Sequence, residues 1–201
     1  MEVAVLASGR GSNFQSIIDA SIRGEIPNAN IKLLIVNEKN AYSIERAKKH
    51  NIPHYLVESK NKKRTEFDLE MLEILHENKI DIIVLAGFMR ILSKHFVNEY
   101  KNRIINIHPS LLPLFPGAHA HRDTIKAGIS ESGCTVHFVD DGIDTGPIIM
   151  QKTVTVDKND TEETLAKKIL PLEHLIFPRA LDLLTSHKLK IEKGKVIIEA
   201  N

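Results

Sequence analysis

Two residues in the run Asn106-Ile-His-Pro-Ser-Leu-Leu-Pro113 could do chemistry together: Asn106 and His108. They lie two apart on what reads as a strand, Arg103–His108, and the period of two along a strand points both side chains to one face. Pro109 biases His108 towards extended backbone, so the strand can run to its end without curling. Pro113 and Pro116 exclude a regular helix and stiffen the loop that follows. An amide donor and a titratable imidazole are thereby fixed side by side at the carboxyl end of a strand, where open α/β sheets place their sites. Such a pair suits a transition state that develops negative charge on a carbonyl oxygen: Asn donates a hydrogen bond to the oxyanion, and His donates a second bond or a proton. A carboxylate nearby, and Asp144 in Asp140-Asp-Gly-Ile-Asp-Thr-Gly146 is the candidate, would orient the imidazole and raise its pKa by supporting the cation. Taken alone, an N-x-H pair more often marks a buried His and Asn satisfied by backbone groups.

The elements that must position these residues follow from the hydrophobic pattern. Val3–Ala7, Lys32–Val36, Ile80–Ala86 and Arg103–His108 read as largely apolar strands, as expected where helices cover both faces of a sheet. Asn13–Arg23, Ser43–His50 and Lys63–Asn78 read as helices between them, and this alternation implies a parallel sheet of right-handed crossovers. Cys134–Val139 and Pro147–Val156 are separated only by the Asp-rich turn, too short for a crossover, so the sheet must be mixed. The expected fold class is α/β: a Rossmann-like open twisted sheet, mostly parallel with one antiparallel strand. A long helix should run from Thr161 to Leu184, capped by Asp160 or Thr161, kinked at Pro171 and bent or broken at Pro178. Leu189–Ile191 and Val196–Ile198 around Lys193-Gly194 predict a terminal hairpin. No repeat, low-complexity tract or linker interrupts the chain, so residues 1–201 are expected to form one domain.

Composition narrows the function. The chain has 201 residues, 26% of them charged, with a formal net charge of +1. That balance gives no global pull towards nucleic acid or membrane, so an anion site must be local. The start, Glu2-Val-Ala-Val-Leu6, enters a strand without a basic region and apolar stretch, and no apolar run reaches the length of a membrane span. Cys134 is the only cysteine, which leaves no intrachain disulfide and no cysteine zinc site; it reads as a small core residue. The expected location is cytoplasmic.

Ser8-Gly-Arg-Gly-Ser-Asn13 joins the first strand to the first helix. Its glycines let the backbone approach an anion, and the helix N-terminus offers free N–H groups, although a plain glycine turn would look the same. Phe14 occupies the place of the third glycine of a dinucleotide fingerprint, and the Lys-Ser/Thr ending of a triphosphate loop is absent, so a monophosphate fits best. Leu85-Ala-Gly-Phe-Met-Arg-Ile-Leu92 closes the fourth strand with an apolar cluster that, taken alone, is more often core than pocket. Asp140, Asp141 and Asp144 suit turn chemistry. With His119-x-His121 they could instead ligate a divalent ion, but the spacing matches no EF-hand and no HExxH helix is present, so no metal is expected. Ser110 lacks the G-x-S-x-G context of a serine hydrolase.

Several of these motifs, in this order, resemble the folate-dependent formyltransferase family: Ala7–Asn13, Leu85–Leu92, Asn106–Pro113 with Asp144, and Glu173-His174. Within it the resemblance is to the branch that formylates glycinamide ribonucleotide in purine biosynthesis. It implies 10-formyltetrahydrofolate as co-substrate, and Asn106, His108 and Asp144 as the catalytic trio. It assigns the phosphate to Gly11, Ser12 and Asn13 and the ribose hydroxyls to Glu173. The folate falls to Met89, Arg90, Ile91 and Leu92 around the pterin-like ring, with Asn106, Asp140 and Asp141 against it and Arg64 facing the glutamyl carboxylate. The N-terminal half would thus hold mainly the ribonucleotide, and the C-terminal half the folate and the catalytic groups. The position three before Glu173, often polar in such relatives, is Leu170 here, which changes the ribose contact. Partners would be small molecules only, on a monomer or weak homodimer. The rivals are another user of 10-formyltetrahydrofolate, a hydrolase or a transferase acting on methionyl-tRNA, and, in a different class, a non-catalytic module that binds nucleotide phosphate.

Overall fold

The computed structural model describes residues 1–199. Its first strand, β1 (Glu2–Ala7), is buried from Val3 to Ala7 and lies inside a seven-stranded sheet of order β3-β2-β1-β4-β5-β6-β7. The others are β2 (Asn30–Val36), β3 (His54–Leu56), β4 (Ile82–Leu85), β5 (Ile104–His108), β6 (Glu131–Phe138) and β7 (Ile148–Thr155). β1 to β5 pair in parallel, whereas β6 is antiparallel to both β5 and β7. One strand is therefore reversed, as the short Asp-rich turn requires.

Alternate residues of each strand feed two cores. Val3, Val5, Ala7, Val84, Ile105 and Ile107 pack with Phe14 and Ile17 of α1 (Ser12–Ile22) and with Ile169 and Phe177 of α6 (Glu162–Thr185). Ala4, Leu6, Ile83, Leu85 and Ile104 pack on the other face with Phe67 and Met71 of α3 (Arg64–Glu77) and with Phe96 of α4 (Lys94–Glu99). α2 (Ser43–Lys49) lies beside α1, and Ala47 joins the first core. The order reverses about β1 and β4, so the loops leaving them open a crevice at their carboxyl ends. The phosphate and pterin candidates lie in those two loops.

Three features differ from the sequence reading. α6 is one 24-residue helix that contains both Pro171 and Pro178, so the chain does not break at Pro178. A proline inside a helix costs about 3 kcal/mol, but Leu165, Ile169, Ile176, Phe177, Ala180 and Leu181 are all within 3% of complete burial. Large apolar side chains buried this way contribute roughly 1.5–3 kcal/mol each, so packing outweighs the two missing hydrogen bonds. β3 was not expected, because three residues, the outer two exposed, carry no usable period. Neither were α4 and α5 (Ala120–Ala127), of six and eight residues. The hairpin β8 (Leu189–Glu192) and β9 (Lys195–Ile198) forms as expected. Cys134 is fully buried on β6, and burial, reinforced by the nearby Glu173 charge, pushes its thiol up to about 12.

Candidate active site

β5 carries Ile105 and Ile107 into the first core and Ile104 into the second. Asn106 and His108 must therefore lie on the Ile104 face, as the period of two requires. On β6, Cys134, Val136 and Phe138 face the first core, which sends Thr135 and His137 to the same side as Asn106. The antiparallel register pairs Asn106 with His137 and His108 with Thr135. Asp144 arrives from the turn between β6 and β7 in a left-handed conformation, φ 55°, which Asp tolerates better than most residues.

These residues form one polar network. Nδ1 of His108 lies 3.3 Å from Oδ2 of Asp144, and its Nε2 lies 2.8 Å from the carbonyl oxygen of Phe115. Asn106 Nδ2 donates to Asp144 Oδ1 at 3.5 Å and faces His137 Nε2 at 3.2 Å. The carboxylate fixes the amide orientation, since the amide oxygen would be repelled there. The Gly117 amide donates to Asp144 Oδ2 at 2.7 Å, and His137 Nδ1 donates to the Phe138 carbonyl at 2.8 Å. The His108–Asp144 and Asn106–Asp144 contacts are slack beside the 2.7–2.9 Å usual for charge-assisted bonds. Contacts of this kind tighten or exchange when a substrate enters.

The electrostatics depart from expectation in one respect. Both His108 nitrogens face oxygen acceptors, and the Phe115 carbonyl and the Asp144 charge both support the cation. Burial acts the other way and is the larger effect, so with the neighbouring His137 it holds the imidazole below its ordinary value. The expected rise is thus a net fall, because His108 is only 4% exposed and loses more hydration than one carboxylate returns. For Asp144 the balance reverses. Burial pushes its carboxyl up, but the His137 and Gly117 hydrogen bonds and the two imidazoles together bring it down to about 2.

The glycine loop leaves β1, which β4 separates from β5 in the sheet. Gly11 has φ 66° and stands at the N-cap of α1. A Cβ there would lie 2.6 Å from Cβ of Ser43, so the close approach to α2 also requires glycine. Asn13 Nδ2 donates to Oε2 of Glu173 at 2.8 Å, which joins the loop to α6. Burial raises the Glu173 carboxyl above its ordinary value, and the Asn13 bond only partly opposes this.

Ser8 ties the glycine loop to the loop after β4. Its Oγ accepts from the Met89 amide at 2.8 Å and donates to Asn37 Oδ1 at 2.6 Å, while its own amide donates to the Gly87 carbonyl at 3.1 Å. The apolar cluster expected here divides. Phe88 and Leu92 belong to the core, whereas Met89 and Ile91 are 70% and 54% exposed, and Arg90 stacks over Phe67. Arg64 opens α3 and is exposed. Leu170 lies a turn before Glu173 at 37% exposure. Asp140 accepts from the Gly142 amide and the Thr145 hydroxyl, and Asp141 pairs with Lys94 at 2.9 Å. The three carboxylates of this turn thus serve different partners, and among the described residues no three His, Cys, Asp or Glu side chains converge on a point that could hold a metal.

Sequence reasoning missed His137, the Phe115 carbonyl and the Gly117 amide. His137 had a readable signal: it stands two residues from Thr135 on a strand separated from Asp144 by a short turn. The two backbone partners had none, since only the folded loop, with Phe115 at φ 52°, directs them inward.

Known proteins resemble this chain along most of its length. The family model described as formyl transferase matches residues 1–181. The chain is 40% identical over 195 residues to phosphoribosylglycinamide formyltransferase from Escherichia coli, covering 96% of this chain and 92% of that protein. It is 49% identical over 192 residues to the trifunctional purine biosynthetic protein adenosine-3 of Drosophila pseudoobscura pseudoobscura. That alignment covers 94% of this chain but 14% of the relative. Glycinamide ribonucleotide transformylase 1 from Symbiobacterium toebii superposes with a TM-score of 0.95 at 40% identity, covering 98% of this chain and 93% of that one. A formyltetrahydrofolate deformylase from Pseudomonas syringae superposes at 0.92 with 26% identity, and there the chain covers 65% of the solved protein.

Proposed function

The chain belongs to the formyl transferase family, and on that premise we propose that it transfers the formyl group of 10-formyltetrahydrofolate to the amine of glycinamide ribonucleotide in purine biosynthesis. The observation that carries this reading is the convergence of Asn106, His108 and Asp144 at the end of β5, beside the loop after β4, with the glycine loop following on the other side of β4. A phosphate-sized anion loop and an exposed apolar edge at the same end of the sheet suit one anionic and one flat aromatic substrate.

Gly11, Ser12 and Asn13 hold the phosphate, and Glu173 takes the ribose hydroxyls; Leu170 adds only apolar surface and its backbone. The backbone of Met89 to Leu92 and of Asp140 and Asp141 holds the pterin-like ring, Met89 and Ile91 cover it, and Arg64 meets the glutamyl carboxylate with its planar fork. The parts of the chain interleave, since Glu173 from the second half reaches Asn13 in the first. The neutral amine attacks the formyl carbon and the carbonyl oxygen gains negative charge. Asn106 exchanges its slack contact with Asp144 for that oxygen, and the protonated His108 edge beside Asp144 supplies the second donor. As the tetrahedral intermediate collapses, His108 delivers its proton to N10 of the folate, and Asp144 takes up the proton lost by the amine through water. Orientation and oxyanion stabilisation supply the rate, with no covalent enzyme intermediate and no metal in the scheme. The reaction runs in the cytoplasm with small-molecule partners. Among the described residues no helix is long and apolar enough to cross a membrane.

Incubating the protein with both substrates tests the reading: folate absorbance should change only when the amine is present, and the ribonucleotide should gain the mass of one formyl group. Formate release without the amine would instead favour hydrolysis, the activity named for the deformylase that shares this fold. Ligand binding without any turnover would leave only a phosphate-binding module.

A further inference from the structure

We infer that Arg46 of α2 is a positioning residue for the anion loop, turning the peptide between Arg10 and Gly11 so that its amide faces the phosphate. The inference rests on the phosphate role proposed above for Gly11 to Asn13. Arg46 lies outside that loop and outside the catalytic network. Its Nε donates to the Arg10 carbonyl at 2.8 Å, and its Nη1 donates to Gln15 Oε1 at 3.1 Å. Gln15 is itself held, because its amide nitrogen donates to Asp19 at 2.8 Å and lies 3.1 Å from His50. The guanidinium also stands 5.1 Å from the centre of the Tyr42 ring. The fork is therefore fixed on three sides.

A trans peptide is planar, and its C=O and N–H point in opposite directions. With the Arg10 carbonyl drawn towards Arg46, the Gly11 amide must point away from α2. The preceding peptide is treated alike, since the Ser43 amide donates to the Gly9 carbonyl at 3.1 Å. Two successive carbonyls thus turn to α2 and two successive amides, Arg10 and Gly11, turn the other way, where they adjoin the free N-terminal amides of α1. Successive amides presented on one side form a concave anion site. Among the described residues none of the amides from Arg10 to Asn13 donates to a protein acceptor. Asn13, 8% exposed, also keeps its Oδ1 without a partner. Left free, the Arg10 carbonyl could swing into the same concavity and present negative charge to the phosphate.

Calorimetric titration of ribose 5-phosphate and ribose into the wild type, Arg46→Met and Arg46→Lys tests this. The wild type should bind the phosphate ester far more tightly than ribose. Arg46→Met should weaken the ester by about tenfold to a hundredfold, the range for losing a hydrogen bond from a charged group. Arg46→Lys restores the charge without the two-pronged fork and should recover little of this loss. In kinetics the defect should lie in KM for the ribonucleotide, with kcat and folate affinity held within about twofold, which also shows that the fold is intact. Unchanged ester binding in Arg46→Met would overturn the inference and leave the phosphate reading standing. Full recovery in Arg46→Lys would overturn it too, since charge alone would then suffice. If the wild type itself does not prefer the ester to ribose, the phosphate reading falls and the inference with it.

Discussion

Replacing Asp144 by Asn keeps the size of the side chain and removes the charge that faces His108. A carboxyl that titrates at about 2 instead of 3.8 has its charged form favoured by about 2 kcal/mol. Burial opposes this, and the Gly117 and His137 hydrogen bonds supply part of it; neither depends on a proton at His108. The share that belongs to the His108 cation is smaller, about 1 kcal/mol, and coupling between two sites is reciprocal. Loss of the carboxylate should therefore lower the His108 pKa by somewhat under one pH unit, about 1.4 kcal/mol being one unit. Burial already holds that pKa down, so the charged fraction near neutral pH is small and falls in proportion. The expected loss in kcat at pH 8 is on the order of fivefold to tenfold from this cause alone, with more from the lost orientation of the ring. His108 titrates below the attacking amine, which titrates near about pH 8 in ordinary α-amino groups. The acid limb therefore follows His108 and should move to lower pH, while the alkaline limb follows the amine and should stay, with little change in KM. A pH series of kcat on wild type and variant decides it. Superimposable profiles would refute the coupling and leave Asp144 as a turn residue.

Other outcomes follow from the same geometry. Because the Asp144 carboxyl is depressed in the folded state, its stabilisation is present above about pH 4 and is lost as the pH falls towards 2. Urea titrations should thus find Asp144→Asn less stable than wild type by up to about 2 kcal/mol at pH 6, less whatever the solvent-facing edge of the carboxylate screens, and nearly equal to it at the acid limit. His108 has the opposite sign. Its folded pKa lies below the ordinary 6.5, so it costs stability as the pH drops below that value, and His108→Gln should flatten this part of the curve. Gly11→Val forces a branched side chain into φ 66° and against Ser43. It should raise KM for the ribonucleotide at least tenfold, of order 1.4 kcal/mol, while calorimetry finds folate binding nearly unchanged. Dialysis against a strong chelator should leave the rate intact, and activity lost and restored by zinc or magnesium would point back to the Asp and His side chains around Asp144.

The sheet was legible because its strands are short, apolar and β-branched, and because the turn from Asp140 to Gly146 is too short for a crossover. β3 and α4 were not, since three mostly exposed residues or six helical ones hold no period to read. A break at Pro178 was the wrong alternative because propensity is local whereas burial of Ile176 and Phe177 is not. At the site, Asn106 and His108 were readable as a pair from spacing alone, but their partnership with Asp144 needed the resemblance, because His108 and Asp144 stand 36 positions apart in the chain. The fall in the His108 pKa was hidden for a related reason. Sequence names the carboxylate that raises it, while the burial that lowers it depends on how the Phe115 loop closes over the ring. Arg46 could not be found from sequence, as one Arg in Ser-Ile-Glu-Arg-Ala-Lys-Lys reads as part of a solvated helix face.

The central claim is that Asn106 and His108 stabilise the transition state of formyl transfer and do little for the bound substrates. Turnover of Asn106→Ala and His108→Ala at saturating 10-formyltetrahydrofolate and ribonucleotide tests it most directly. The account predicts a loss in kcat for each on the order of a hundredfold or more, as for removal of an oxyanion donor, with both substrate affinities close to wild type. Near-normal kcat in His108→Ala would contradict it, as would a defect confined to KM.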